Sequence, residues 1–344
     1  MEVKIGNTLV GPAHPIAIES MTNTDTRNVA ATVDQILQLQ ALGCEIIRVA
    51  VPDQAAANAI PHIKKHIAIP LIADIHFDYR LALAAIENGA DKVRINPGNI
   101  GDANRVRQVA AAATAKNIPI RVGVNCGSLE KEILAKYGGI TPEGLAESAI
   151  GHVRLLEEVG FHNIVVSAKS SNGNILIKAN QILAQSLPYP LHIGLTEAGT
   201  PYKGAIRSAV ALGVLLHQGI GNTIRISLSG SPLPEIEAAK EILQTLELRR
   251  FGAKIIACPS CGRGVEMDVG AIAQAVEDRL AHIQKPLTVA VMGCAVNGPG
   301  EAKDADIGIA CGKGMAILFK KGQQIRRLEA HELVDVLVRE VEDM

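Results

Sequence analysis

The feature that most constrains the fold is a repeated alternation of short β-branched runs with helical patterns. The runs occur at Ile16–Ser20, Ile46–Val51, Pro70–Ile75, Lys92–Pro97, Pro119–Asn125, Asn163–Lys169, Pro190–Glu197 and Thr223–Ser229. Between them lie helical segments such as Val29–Leu42, Gln54–Lys65, Tyr79–Asn88, Asp102–Lys116 and Lys203–His217. Strand and helix alternating at roughly 22 to 33 residues, in all but one interval, predict right-handed βαβ crossovers and a parallel sheet. Eight such units in about 245 residues match a closed (β/α)8 TIM-type barrel, with a doubly wound open sheet as the competing architecture. The long interval, between the fifth and sixth runs, holds an extra helix at Ser128–Tyr137 before Pro142–Val159. Val3–Gly11 reads as a hairpin turning at Gly6-Asn7, placed to plug the bottom of the barrel.

The pattern changes near residue 250. A cysteine-bearing turn leads into a helix (Val269–Gln284), strands near Thr288–Met292, Ile307–Ala310 and Met315–Lys320, and a last helix (Ala330–Glu342). The expected division is therefore a barrel over residues 1–250 and a smaller α/β domain over 251–344. Aromatic residues make up only 2% and tryptophan is absent, so both cores must be aliphatic. A net charge of −1 gives no basic face for sequence-independent nucleic-acid binding, and four Phe and four Tyr are too few for base-stacking platforms. The first residues lack the apolar stretch of a secretory signal, and no run approaches a membrane span. A Cys-x-x-Cys pair among six cysteines suits metal-binding thiols in a reducing cytoplasm better than a disulfide framework.

Helices cover the outer face of a barrel and side-chain layers fill the inside, so its strands should be apolar. Arg48, Asp74, Arg94, Asn96, Arg121, Asn125, Lys169, Glu197, Arg225 and Ser227 break that rule in or beyond the C-terminal halves of predicted strands. That end is where barrel enzymes build active sites. Five cations (Arg48, Arg94, Arg121, Lys169, Arg225) outnumber the acids Glu19, Asp74 and Glu197, which points to a phosphate or diphosphate ligand held by guanidinium forks. Gly219-Ile220-Gly221 and Ser229-Gly230-Ser231 flank the eighth strand with turns that present backbone N–H groups to an anion. Glu197 is a candidate general acid if desolvation raises its pKa, or else a counter-ion to an arginine. His76 and His192 are further candidates, and histidines on apolar strands are often hydrogen-bonded core residues.

Cys258-Pro259-Ser260-Cys261 puts two thiolates in one turn, and Cys294 follows in a glycine-rich loop. Three cysteines on two loops suit a soft metal centre. The fourth ligand is Cys311, which completes an all-cysteine zinc or cubane site, or Glu301, which leaves one iron easier to exchange; spacing does not decide. Cys44 reads as packing, and Cys126 as a small buried residue at the mouth of the fifth strand.

Several segments resemble the 4-hydroxy-3-methylbut-2-enyl diphosphate synthase family. They are Ser20–Thr24, Asp74-Ile75-His76-Phe77-Asp78-Tyr79-Arg80, Arg94–Gly101, Arg121–Asn125, Leu191–Gly199, Cys258–Arg263 and Gly293–Glu301. The resemblance implies an eight-stranded barrel joined to a [4Fe-4S] domain in a homodimer, with the cluster of one subunit capping the barrel of the other. It implies Cys258, Cys261, Cys294 and Glu301 as cluster ligands. Arg48, Arg94, Arg121, Lys169 and Ser227 match the family's substrate-phosphate contacts, with Asp74, Asn96 and Asn125 beside them. Glu197 matches the acid facing the reacting carbons. The implied reaction is reductive dehydroxylation of 2-C-methyl-D-erythritol 2,4-cyclodiphosphate, with two electrons from ferredoxin or flavodoxin.

Glu19 departs from the glutamine usual in the family, and Asn222 from the aspartate common before the eighth strand. A barrel lyase or transferase of the pterin-synthase type with structural zinc, and a non-enzymatic cluster carrier, are the rival readings.

Overall fold

The computed structural model describes residues 1–344 except 97–98, 101–102, 260–266, 295–297 and 313, and leaves out the side chains of Pro299 and Glu301. The chain divides into two compact units, Met1–Arg249 and Arg250–Met344.

The first unit opens with an antiparallel hairpin, β1 (Val3–Ile5) and β2 (Thr8–Val10), in which Val3 pairs with Val10. Eight parallel strands follow: β3 (Ala17–Met21), β4 (Ile46–Ala50), β5 (Leu71–Asp74), β6 (Lys92–Ile95), β7 (Ile120–Asn125), β8 (Ile164–Lys169), β9 (His192–Ile193) and β10 (Thr223–Ile224). Their spatial order is β8-β7-β6-β5-β4-β3-β10-β9. The parallel bridge Val166↔Leu191 and the bond from Val166 N to Pro190 O join β8 to β9. The sheet thus closes on itself, and the eight-unit alternation is a TIM-type barrel rather than an open sheet.

The helices are α1 (Val29–Ala41), α2 (Gln54–Lys64), α3 (Tyr79–Glu87), α4 (Ala103–Lys116), α5 (Lys131–Tyr137), α6 (Pro142–Glu157), α7 (Gly173–Ser186), α8 (Pro201–His217) and α9 (Leu233–Thr245). Their starts follow local chemistry. Asn28, Asp53, Asp78, Thr141 and Asn172 accept from backbone N–H groups of the first turns of α1, α2, α3, α6 and α7, offsetting donors a helix leaves unpaired.

Val3, Ile5 and Val10 of the hairpin pack with Ala17, Ile46, Ile72 and Val165, near the starts of the barrel strands. The bottom of the barrel is therefore sealed by apolar side chains, and the buried polar residues concentrate towards the other end.

Two strands are shorter than the sequence suggests. β9 and β10 each keep two residues, because regular pairing lapses where Gly194 lies against the Arg225 carbonyl; a Cβ at 194 would stand 2.4 Å from that oxygen. Beyond it Glu197 takes a left-handed φ of 54°, a turn conformation rather than the end of a strand.

The second unit is a five-stranded sheet in the order β11 (Ala253–Ala257), β12 (Leu287–Met292), β13 (Ile307–Cys311), β14 (Met315–Lys320) and β15 (Gln323–Glu329). The first three strands are parallel and the last two antiparallel. Helices α10 (Val269–Leu280) and α12 (Leu333–Glu342) cover one face, where Val276, Leu280, Val289, Val291, Ile309 and Leu337 form the core. A short helix, α11 (Gly298–Glu301), follows β12. Strand β15 carries almost no apolar periodicity and is exposed at every residue but Leu328, so pairing with β14 rather than burial defines it. Among the described residues no helix is long and apolar enough to cross a membrane.

Candidate active site

Alternation along the strands turns every second side chain into the barrel. Much of this inward set is charged: Glu19, Arg48, Asp74, Lys92, Arg94, Arg121 and Lys169 are all buried, none more than 8% exposed. Ionised groups this deep cost several kcal/mol each unless paired.

Glu19 on β3 is the centre of the first group. Its Oε1 accepts from Arg121 Nη1 at 2.7 Å and lies 3.9 Å from Arg48 Nε. Its Oε2 is 3.5 Å from Lys92 Nζ and 3.6 Å from His192 Nδ1. Burial alone would raise the Glu19 pKa. The charges of Arg121, His192, Lys92 and Arg48 outweigh it and hold the carboxyl well below its usual range. Burial lowers Lys92 to about 7 against the pull of Glu19. His192, whose Nδ1 is 2.8 Å from Thr223 Oγ1, is pushed well down by burial and stays neutral at pH 7.

Asp74 on β5 organises the second group. Arg94 Nη1 donates to its Oδ1 at 3.2 Å, Arg48 Nη1 stands 4.0 Å from Oδ2, and His76 Nε2 lies 3.6 Å from Oδ2. Burial opposes ionisation here too, but Arg48, the His76 hydrogen bond and Arg94 hold the carboxyl far below its ordinary value. Arg94 Nη2 also donates to the Gly123 carbonyl at 3.0 Å. Only glycine fits at 123, since a Cβ would stand 2.3 Å from Arg94 Nε.

Lys169 ends β8 without a hydrogen bond or ion pair among the described residues. Burial, and then the neighbouring charges of Arg48, Arg121 and Arg225, push its ammonium well below the usual range. Arg225 is only part-buried and is tied to Glu235 in the first turn of α9, both contacts at 3.4 Å. Glu235 also accepts from Ser20 Oγ at 2.9 Å and Leu228 N at 3.0 Å. Positive charge therefore exceeds negative among the buried groups, as expected from the strand ends.

A cavity of about 670 Å³ opens beside these groups, lined in part by His76, Arg94, Asn96, Asn125, Cys126 and Glu197. Asn96 is buried, Asn125 ends β7 half-buried, and Ser227 is half-buried beyond β10. Glu197 is exposed on the cavity wall and forms no ion pair among the described residues, so it is not a counter-ion to an arginine there. Cys126 is half-buried on the same wall, closer to the cavity than a packing residue would be. Cys44 is a packing residue: it is buried, its thiol donates to the Ile46 carbonyl, and burial pushes it up to about 12.

The sequence reading did not single out Lys92 or Glu235. Lys92 was detectable, because Lys92-Val93-Arg94 puts it on the inward face with Arg94. Glu235 comes from a helix and reaches the strand ends only through the tertiary fold.

In the second unit, Cys258 directly follows β11 and Cys294 lies two residues beyond β12, at the same ends of adjacent parallel strands. Cys258 N donates to Val291 O at 3.0 Å, which ties the first cysteine turn to β12. Cys258 packs with Ile256, Ala290, Met292, Ala310 and Phe319, on one face of the sheet. Cys311 packs with Val291, Ile309 and the helices on the other face, and burial pushes its thiol up to about 11. A Cβ at Gly298 would stand 2.8 Å from Met292 Cβ, so glycine is needed where α11 crosses β12. Among the described residues no three Cys, His or acidic side chains stand close enough together to hold a metal ion. Two of the expected ligands, Cys261 and the Glu301 carboxylate, lie outside the described residues.

These features define an anion-binding α/β barrel protein with a separate thiol-bearing domain. The family model for the GcpE TIM-barrel domain matches residues 1–240, and that for the GcpE protein C-terminal domain matches residues 254–343. The chain belongs to the GcpE family. It is 56% identical over 343 residues to the 4-hydroxy-3-methylbut-2-en-1-yl diphosphate synthase (flavodoxin) of Caldanaerobacter subterraneus subsp. tengcongensis, covering 100% of this chain and 96% of the relative. The protein of that name from Clostridium tetani is 54% identical over 344 residues, covering 100% and 98%. Among solved structures, Yersinia pestis dihydropteroate synthase aligns with a TM-score of 0.52 at 11% identity, over 72% of this chain and 99% of that one. That likeness concerns the barrel fold alone.

Proposed function

We propose that this chain catalyses the reaction for which its relatives are named. It is an oxidoreductase that converts 2-C-methyl-D-erythritol 2,4-cyclodiphosphate to 4-hydroxy-3-methylbut-2-enyl diphosphate, consuming two electrons and two protons and releasing water. The observation that carries this reading is the buried cationic cup at the barrel mouth. Arg48, Arg94, Arg121 and Lys169 are desolvated there beyond what Glu19 and Asp74 neutralise. A diphosphate supplies the missing negative charge, and the guanidinium forks suit its oxygens. Ser227, Asn96 and Asn125 add neutral donors at the rim, and Asp74 keeps Arg48 and Arg94 oriented.

Glu197 is the proton donor. It stands on the cavity wall near Asn96 and Asn125, and its left-handed backbone turns it out of the strand. A bound substrate would cover this exposed carboxyl and shut bulk water out from the proton it donates.

A [4Fe-4S] cluster fits the donor set of the second unit. Cys258 and Cys294 are half-buried thiols at neighbouring strand ends, with Cys261 three residues from the first. Glu301 is the fourth ligand, because Cys311 belongs to the core on the opposite sheet face. When bound, the cluster supplies electrons one at a time, and flavodoxin, named in the relatives, is the proposed donor. Residues 1–250 bind substrate and 251–344 hold the cluster.

A homodimer in the cytoplasm completes the proposal. Tyr202, Ile206, Val210 and Val214 form an exposed apolar ridge along α8, of the kind that subunit contacts cover.

The test is turnover by anaerobically reconstituted full-length protein with the cyclodiphosphate and a chemical reductant. Product from the native chain, and none from Glu197→Gln with an unchanged cluster spectrum, is the expected result. No product from a fully loaded native protein overturns the reading.

A further inference from the structure

The cup contains one carboxylate that the proposed chemistry does not use. Glu19 is fully enclosed, and its two oxygens contact Arg121, Arg48 and Lys92 together with the neutral His192. Arg121 and Arg48 are also two of the cations assigned above to the diphosphate. A carboxylate and a phosphate accept from the same guanidinium edges, so both draw on the same donors. Glu19 satisfies this demand incompletely. It takes Nη1 of Arg121 at 2.7 Å, while the buried Nε atoms of Arg121 and Arg48 have no hydrogen-bond partner among the described residues.

We propose that Glu19 is a built-in competitor for the cations of the anion site, and that its negative charge sets the affinity of that site for diphosphate. The proposal rests on the anion-site reading above. Glu19 neutralises part of the cup permanently, and its charge repels any anion that shares Arg121 with it. Glutamine at 19 keeps the side-chain length and an oxygen for Arg121 but removes the charge. Lys92 is part of the same unit: it is buried, Glu19 is the one acid it contacts among the described residues, and it can shed its proton when Glu19 is neutralised. That loss would mask some of the gain, so the comparison must also be made where no proton can be shed.

The experiment measures inorganic pyrophosphate binding to the full-length chain by calorimetry at one pH and one ionic strength. The native protein, Glu19→Gln, Lys92→Met, the double variant and Arg121→Met are compared. Glu19→Gln is expected to bind pyrophosphate about tenfold or more tightly than native, as removal of one nearby like charge predicts at an intermediate dielectric. The double variant should gain by a similar factor over Lys92→Met. If Glu19→Gln does not fold, this second comparison stands alone, because the double variant removes the buried pair as a neutral unit.

Native binding weakened by Arg121→Met but unchanged or weakened by both Glu19 replacements overturns the competitor role and leaves the anion site standing. Absence of pyrophosphate binding in every protein overturns both.

Discussion

The two units use the same place in a sheet, the carboxyl ends of parallel strands, for opposite chemistry. In the barrel, β4, β6, β7 and β8 carry the buried cations Arg48, Arg94, Arg121 and Lys169, the three arginines paired with Glu19 or Asp74. In the second unit, β11 and β12 end beside the cysteines 258 and 294, with aliphatic side chains around Cys258. The first arrangement is hard and charged, stabilised by mutual pairing and suited to a ligand of fixed negative charge. The second is soft and sparsely charged, suited to a metal that itself supplies the charge. Parallel strand ends are thus neutral scaffolding, and residue type decides what binds there.

The strongest way to break this comparison is to remove one soft ligand. Cys294→Ser is expected to lose nearly all bound iron and acid-labile sulfide, measured on anaerobically reconstituted protein, and all turnover with them. Pyrophosphate affinity should stay within about twofold of native, because the substitution leaves every barrel cation in place. A matching loss of pyrophosphate binding would show that the two chemistries are not separable.

The charged site also leaves a signature in stability that begins near neutral pH. Lys92 titrates near 7 in the folded protein and near about 10.4 unfolded. Between those values the unfolded chain binds more protons, so stability rises with pH through that window. Lys169, displaced in the same direction, adds to the slope. The rise should amount to roughly 1–2 kcal/mol between pH 7 and pH 8.5, read from urea unfolding midpoints, and above that range ionisation of the buried thiols Cys44 and Cys311 in the unfolded chain opposes it. Lys92→Met should flatten it. Asp74 acts with the opposite limit: its folded pKa is depressed, so its contribution is present above the unfolded value and is lost as acid carries the pH below it. A flat profile from pH 7 to 8.5 would mean that these lysines are better solvated than their burial implies.

Much of this was legible in the sequence, and the exceptions have identifiable causes. The eight βα units were readable because every barrel strand is buried on both faces and so appears as an apolar run. The charged strand ends stood out against that background. Lys92 alternates with Arg94 but begins β6, one layer beneath the strand ends, where a lysine has no local mark of facing inward beyond that alternation. Glu235 had no local signal, being a helix residue that turns onto β3 and the loop after β10. Strand β15 is polar along almost its whole length and is defined by pairing with β14 alone. The lengths of β9 and β10 depend on the contact at Gly194, which no pattern in either strand encodes. For the cysteines, spacing left Cys311 and Glu301 equal. The packing of Cys258 and Cys311 on opposite sheet faces, on which the proposed choice of Glu301 rests, is a property of register rather than of spacing.

The smallest expected effect tests whether the two regions are energetically separate. Asp268 caps α10, accepting from Ala271 N at 3.0 Å, and lies far in sequence from every barrel charge. Asp268→Ala should cost about 1 kcal/mol, the usual value of such a cap. Hydrogen exchange should place that loss in residues 267–343, with protection of β3 to β8 unchanged. Because the substitution alters neither a thiol nor a buried cation, pyrophosphate affinity should not move. A loss of protection spread evenly over β3 to β8 would mean that the second unit's helices help to hold the barrel's charges in place, and the contrast between the two strand-end chemistries would then be one of composition rather than of independent function.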